Sequence, residues 1–293
     1  MREIKKISNI KILMYHRVIN EEPEYGHWHY VTTAAFKKQM KLIELLGFTP
    51  ITFSDYQLYK EDKLTLPPKP IIITFDDGYL DTFENALPVL SKMGMKAVIF
   101  VMGNRKLKSA IWDELDERDV CPLMTDEHIR AAKQMDFEIG SHSLNHDVLS
   151  SLPEHEVVYS VNKSKKEIES ILEEPIQTFA YPYGKLDKRV EEIVSNSGFL
   201  YACGVYTGSP KFGETTLDFR RIAINQHTGS LHFLLKLLTP YQYVEWLYYI
   251  IKKREKNNAV KLGVLKDGLK KRQNGVHKFP TKKTKNISKS NTK

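Results

Sequence analysis

Cysteine is scarce in this chain: 293 residues contain two, Cys121 and Cys203. Two thiols make no disulfide framework, and they read as free thiols of a reducing compartment. Long apolar runs are missing as well. The nearest approach, residues 231–251, is interrupted by Lys236, Pro240 and Glu245, so no membrane-crossing helix is expected. The opening M-R-E-I-K-K-I-S-N-I-K is charged and has no apolar stretch before a small-residue cleavage site, so no secretory signal is expected. Together these absences predict a cytoplasmic protein. An evenly spread positive charge is also lacking, although the net charge is +8. Residues 252–293 hold 15 Lys and Arg against Glu255 and Asp267, a surplus of 13, while the other residues hold 29 bases against 34 acids, a net −5. The basic character belongs to the tail, which excludes a nucleic-acid-reading core.

What is present reads as one large α/β domain. Strand-like runs stand at 11–15, 48–53, 71–75, 97–101, 137–141, 176–181, 199–203 and 219–224. Between them lie helical patterns at 32–47, about 80–93, about 125–135, 154–173 and 186–197, several closed by glycine. Such alternation predicts parallel strands wrapped by helices, in a barrel or an open sheet. The expected division is a catalytic domain over 1–230, an amphipathic aromatic helical segment over 231–254, and a basic, disordered tail over 255–293. The segment 231–251 beside a basic stretch fits two readings: a core helix, or an interfacial segment giving peripheral contact with an anionic membrane through 231–293, at its inner face.

Four polar clusters follow strand-like runs: His16, Asp76-Asp77, His142 with His146, and Pro182-Tyr183-Gly184. In parallel α/β barrels the carboxyl ends of the strands converge on one rim, which would gather all four. His142 and His146 are spaced i, i+4, which on a helical turn aims both imidazoles one way. Two imidazoles and a carboxylate leave a metal with open positions, with Asp77 the natural third ligand and Asp76 the natural base. A divalent cation would also relieve the repulsion within the aspartate pair. Each cluster has an ordinary alternative: H-x-x-x-H on a surface helix, D-D-G as a turn, P-Y-G as a turn with a core tyrosine. Their shared position and order favour the metal.

T-F-D-D-G (74–78), S-H-S-L-N-H-D-V-L-S-S-L (141–152) and F-A-Y-P-Y-G (179–184) resemble, in order, three motifs of the polysaccharide deacetylases, also called the NodB-homology or carbohydrate esterase 4 group. The resemblance covers about residues 10–225. The opening L-M-Y-H-R-V is similar to the exopolysaccharide and poly-N-acetylglucosamine deacetylase branch, where the usual last motif stands at the front. It implies a distorted (β/α) barrel with fewer than eight complete units, and removal of acetyl groups from N-acetylated glycan of the cell envelope, polymeric or lipid-linked. On that likeness Asp77, His142 and His146 would hold a divalent metal, most simply Zn²⁺, with Asp76 as base and His16 as acid. The Tyr183 backbone N–H would serve the oxyanion. Pro182, Gly184, Trp112 and Arg221 are candidate substrate-side residues. The third motif lacks the arginine that in many relatives tunes the catalytic aspartate; Arg220 or Arg221 standing in is one reading, loss of the tuning another. Two rivals remain: the same centre acting on another acyl or C–N bond, and a carbohydrate-binding relic without turnover.

Overall fold

The structure is a computed structural model that describes residues 10–22, 29–113 and 120–252. The expectations for 255–293, and the loop residues His27 and Trp28, lie outside them. The strands are β1 (Lys11–Tyr15), β2 (Arg17–Ile19), β3 (Tyr30–Thr32), β4 (Thr49–Ile51), β5 (Pro70–Phe75), β6 (Val98–Val101), β7 (Glu138–Ser141), β8 (Thr178–Ala180), β9 (Tyr201–Cys203) and β10 (Ile222–Ala223). Eight form one parallel sheet, in the order β10-β1-β5-β6-β7-β8-β9, with β4 also paired to β5; β2 and β3 form a separate parallel pair. The two sheet ends approach each other through a parallel bridge between Cys203 and Phe219. The result is the curled, incompletely regular parallel barrel that the motifs imply.

Alternation along β5 shows why the run I-I-I-T-F is apolar throughout. Ile71, Ile73 and Phe75 belong to the large core that also contains helix residues, while Ile72 packs with Ile12, Val98, Phe100 and Phe53 in a second cluster. A parallel strand covered on both faces needs apolar side chains on both.

The helices are α1 (Thr33–Leu45), α2 (Phe53–Lys60), α3 (Leu87–Lys92), α4 (Asp126–Gln134), α5 (Glu154–Leu172), α6 (Lys188–Asn196) and α7 (Ser230–Leu238). Thr32, Thr125 and Asp187 cap α1, α4 and α6 by accepting from a backbone N–H three residues on. The helix expected at about 80–93 is present over 80–92, with a π-helical segment, Thr82–Ala86, leading into α3 and Pro88 near the start of the latter. α2 has no counterpart in the sequence reading; its capping box, Thr52 with Asp55, sits directly behind the short strand β4.

The chain divides into two compact units, Met1–Trp246 and Leu247–Lys293. The segment expected to be helical over 231–254 holds two helical stretches: α7 ends at Leu238 and Pro240 follows, while residues 241–252 are helical again. α7 therefore belongs to the first unit. Of the second, residues 247–252 are described, and they are helical. Among the described residues no helix is long and apolar enough to cross a membrane.

Candidate metal centre

The β1–β5 register pairs Tyr15 with Phe75, so the next residues, His16 and Asp76, leave neighbouring strands side by side. The Asp76 N–H donates to the Tyr15 carbonyl oxygen at 3.0 Å and holds that junction. Asp77 must then travel past the end of β6 to meet β7. It does so through two consecutive left-handed residues, Asp77 (φ 70°) and Gly78 (φ 64°). A Cβ on Gly78 would lie 2.7 Å from Val101 Cγ1, so the glycine permits both the conformation and the close crossing over β6.

His142 follows β7, and the two imidazoles do converge, but not on a helical turn. Residues 143–145 form a non-helical turn in which Ser143 (φ 67°) and His146 (φ 65°) are left-handed, and Ser143 Oγ accepts from the His146 N–H. The i, i+4 spacing reaches the right place by a different backbone path. His142 Nε2 and His146 Nε2 lie 3.1 and 3.2 Å from Asp77 Oδ1. All three side chains are buried.

Hydrogen bonding supports an ion at that point. The Ala180 carbonyl oxygen lies 2.8 Å from His142 Nδ1 and accepts its proton, which leaves the Nε2 lone pair facing Asp77. Asp77 Oδ1 is buried and has no hydrogen-bond donor. Three potential ligand atoms lie within 4.8 Å of one another, and with the Nε2 lone pairs turned inward, as metal ligation requires, a cation among them would relieve their repulsion. The residues present thus fit a divalent metal. Burial would raise the Asp77 carboxyl, but His146, His142 and His16 together hold it well below the usual carboxylate range.

Arg221 sits wholly buried behind Asp76. Its Nη1 and Nη2 donate to Oδ1 at 2.6 Å and to Oδ2 at 2.8 Å, while Nε donates to the Gly204 carbonyl oxygen and Nη1 also to Thr74 Oγ1. With its guanidinium thus engaged, Arg221 does not line the cavity and is not a substrate-side residue. Of the two arginines considered in the sequence for the one missing from the third motif, it is Arg221 that contacts Asp76. Burial pushes the Asp76 carboxyl up, and Arg221, with His142, more than offsets that push, keeping it below its ordinary value. His16 is pulled below its ordinary value chiefly by burial, partly offset by Asp77 and Asp76.

A cavity of about 260 Å³ opens over the centre. Of the residues singled out in the sequence, His16, Asp76, Asp77, Trp112, His142, His146, Tyr183 and Gly184 line it. Pro182 is buried and does not; it starts the short turn Pro182–Gly184. Within that turn Tyr183 is left-handed (φ 58°), and a Cβ on Gly184 would meet Val205 Cγ2 at 2.5 Å. Trp112 stacks on the His146 ring at 4.3 Å between centroids, and Tyr183 meets its edge at 4.5 Å. Trp112 therefore packs a ligand in place as well as forming part of the wall.

Sequence reasoning did not single out Tyr79 or Asn225. His29, Asp113 and Asn225 line the cavity, and the His29 ring lies 4.9 Å from that of His16. The Tyr79 hydroxyl donates to the Asp113 carboxylate. Tyr79 stands two residues after Asp77, the one local signal that could have marked it.

Comparison with known proteins agrees with this arrangement. The polysaccharide deacetylase family model matches residues 63–202, spanning the aspartate pair, both histidines and the P-Y-G turn. YxkH of Bacillus subtilis, whose name places it among the polysaccharide deacetylases, is 27% identical over 75% of this chain and 73% of its own length. A poly-beta-1,6-N-acetyl-D-glucosamine N-deacetylase of Staphylococcus aureus is 23% identical, over 58% of this chain and 59% of its own length, so the chain matches little more than half of that relative. The solved Streptococcus pyogenes deacetylase PplD, in complex with acetate, shares the fold with a TM-score of 0.68 at 21% identity, covering 78% of this chain and 98% of its own. A shared fold, a family-model match over residues 63–202 and the ordered motifs agree in likening this chain to the polysaccharide deacetylases.

Proposed function

We propose that this chain is a metal-dependent hydrolase that removes acetyl groups from N-acetylated sugars of a polysaccharide or lipid-linked glycan. The observation that carries the reading is the pairing of an Asp-His-His ligand set with a separate, arginine-held carboxylate in one cavity. A binding relic needs no such division of labour between neighbouring aspartates.

A divalent cation, most simply Zn²⁺, would be held by Asp77, His142 and His146 and would supply Lewis acidity and a lowered pKa for water. The chain's own groups do the rest. Asp76, kept ionised by Arg221, accepts a proton from the attacking water. The Tyr183 backbone N–H, set by its left-handed conformation, donates to the oxygen of the tetrahedral intermediate. His16 lies on the adjacent strand end and protonates the departing amine; since burial favours its neutral form, it must first take up a proton. Trp112 and Gly184 bound the space left for the sugar.

The test is amine release from N-acetylglucosamine oligomers, with β-1,4 and β-1,6 linkages tried in parallel, by zinc-loaded protein. Asp76→Asn should keep the metal and lose turnover by at least about 10²-fold; undiminished release would remove Asp76 as base. Acetate freed from other acylated compounds but not from these sugars would favour a different acyl substrate for the same centre.

A further inference from the structure

Three aspartates line the cavity, and two of them have evident work. Asp76 is held by Arg221, and Asp77 belongs to the ligand set with His142 and His146. Asp113 belongs to neither arrangement. Among the described residues no arginine or lysine pairs with it, and the Tyr79 hydroxyl, donating to Oδ2, is its one side-chain partner. A carboxylate offers about four lone-pair sites on two oxygens. The phenol takes one, which leaves Oδ1 unclaimed on a half-buried side chain in the cavity wall.

The chain spends a good deal of structure on holding this carboxylate still. Tyr79 is wholly buried, and with Met102, Ala110, Cys121 and Leu123 it forms a small core separate from the two under the sheet. A backbone bridge joins Tyr79 to Leu123, and the Arg17 guanidinium lies 5.6 Å from the centre of the Tyr79 ring. The Asp113 N–H donates to the Ala110 carbonyl oxygen at 2.9 Å. Trp112, its neighbour in sequence, packs on the same core and stacks on His146. The connection between β6 and α4 is thus a built wall, and it sets a fixed, charged acceptor beside the ligand set. Such an acceptor suits a ligand rich in hydroxyl donors, as every residue of a glycan is. We infer that Asp113 is a substrate-binding residue whose Oδ1 accepts a hydrogen bond from a hydroxyl of the bound sugar, with Tyr79 as the positioning residue that aims it. The inference rests on the glycan reading of the site and adds to it a residue that selects sugar over a bare acetamide.

Binding can be read without turnover in zinc-loaded Asp76→Asn protein, titrated calorimetrically with fully N-acetylated glucosamine oligomers, which carry hydroxyls and no free amine. Adding Asp113→Ala should weaken oligomer binding at least about tenfold, as loss of a hydrogen bond to a charged group does. Asp113→Asn keeps a carbonyl acceptor and should lose less. Tyr79→Phe keeps the packing, drops the hydroxyl and should weaken binding about threefold. Zinc affinity, measured by chelator competition, should stay unchanged in all three; a merely structural Asp113 would release Trp112 from His146 and lower it. Oligomers that bind equally well with and without the Asp113 carboxylate overturn the inference. So does a loss of zinc affinity that matches the loss of sugar binding, or weakening confined to partly deacetylated oligomers, which would make an ammonium the group recognised. If the Asp76→Asn protein itself binds no oligomer, the glycan reading fails and this inference falls with it.

Discussion

Asp76 and Arg221 form a two-pronged ion pair with both side chains buried, the guanidinium reaching the carboxylate from β10's side of the sheet. A carboxylate in that position is ready to take a proton only while its partner is present. Arg221→Met should destabilise the fold by about 3–5 kcal/mol, because it strands a buried charge. In the wild type the folded-state carboxyl lies below its unfolded value, so the pair's contribution is complete above the ordinary carboxylate pKa and fades as pH falls below it. Without Arg221, burial acts with less opposition and the carboxyl rises. The acid limb of the rate profile should therefore move to higher pH, as initial rates across pH would show. An unmoved limb would contradict the pairing's role.

Metal should act on stability as well as on rate. Zinc added to chelator-stripped protein at a hundred times its dissociation constant should stabilise the fold by about 2.7 kcal/mol. The shift in denaturation midpoint reads this directly, and His142→Ala or Asp77→Asn should abolish most of it. A variant at Asp76, which is not a ligand, should keep it.

Gly184→Ala should impair both fold and rate. The residue is left-handed (φ 62°), and the added Cβ would lie 2.5 Å from Val205 Cγ2. Strain and overpacking of this kind cost about 1–3 kcal/mol each. The double variant Gly184→Ala, Val205→Ala removes the contact at Cγ2 but keeps those at the residue-205 Cβ (2.8 Å) and N (3.0 Å) and the backbone strain, so urea denaturation should show only slight recovery.

Thiol chemistry offers a check on the core. Cys203 is buried among apolar side chains and its thiol is pushed up to about 12, chiefly by burial; Cys121 is buried too. At pH 8 neither should react with a disulfide reagent until the protein is unfolded, when two equivalents should appear. Rapid labelling of the native chain would show that the core opens at these positions.

The convergence of Asp77, His142 and His146 was legible in the sequence because strand ends carried chemistry-bearing residues in a recognisable order. Arg221 was harder to place. It lies 145 residues from Asp76, and nothing local distinguishes its role from that of Arg220, which donates to the Tyr206 carbonyl oxygen. The route taken by His142 and His146 was misread for a related reason: H-x-x-x-H spacing suits a helix, and the left-handed Ser143 leaves no trace in residue type. α2 escaped notice because β4 before it is three residues long, too short to separate two apolar patterns. Trp112 was visible as a wall residue, but its stacking on His146 depends on a long connection folding back over β7.

β1, the first strand of the sheet, lies between β5 and β10, the last strand. His16 and Arg221 thus come from opposite ends of the catalytic sequence and flank the same aspartate. Cutting such a ring of strands elsewhere and joining its old termini would reorder the motifs along the polypeptide while leaving every neighbour in space unchanged. A histidine that stands early in one such chain and late in another can then occupy the same place beside the aspartate.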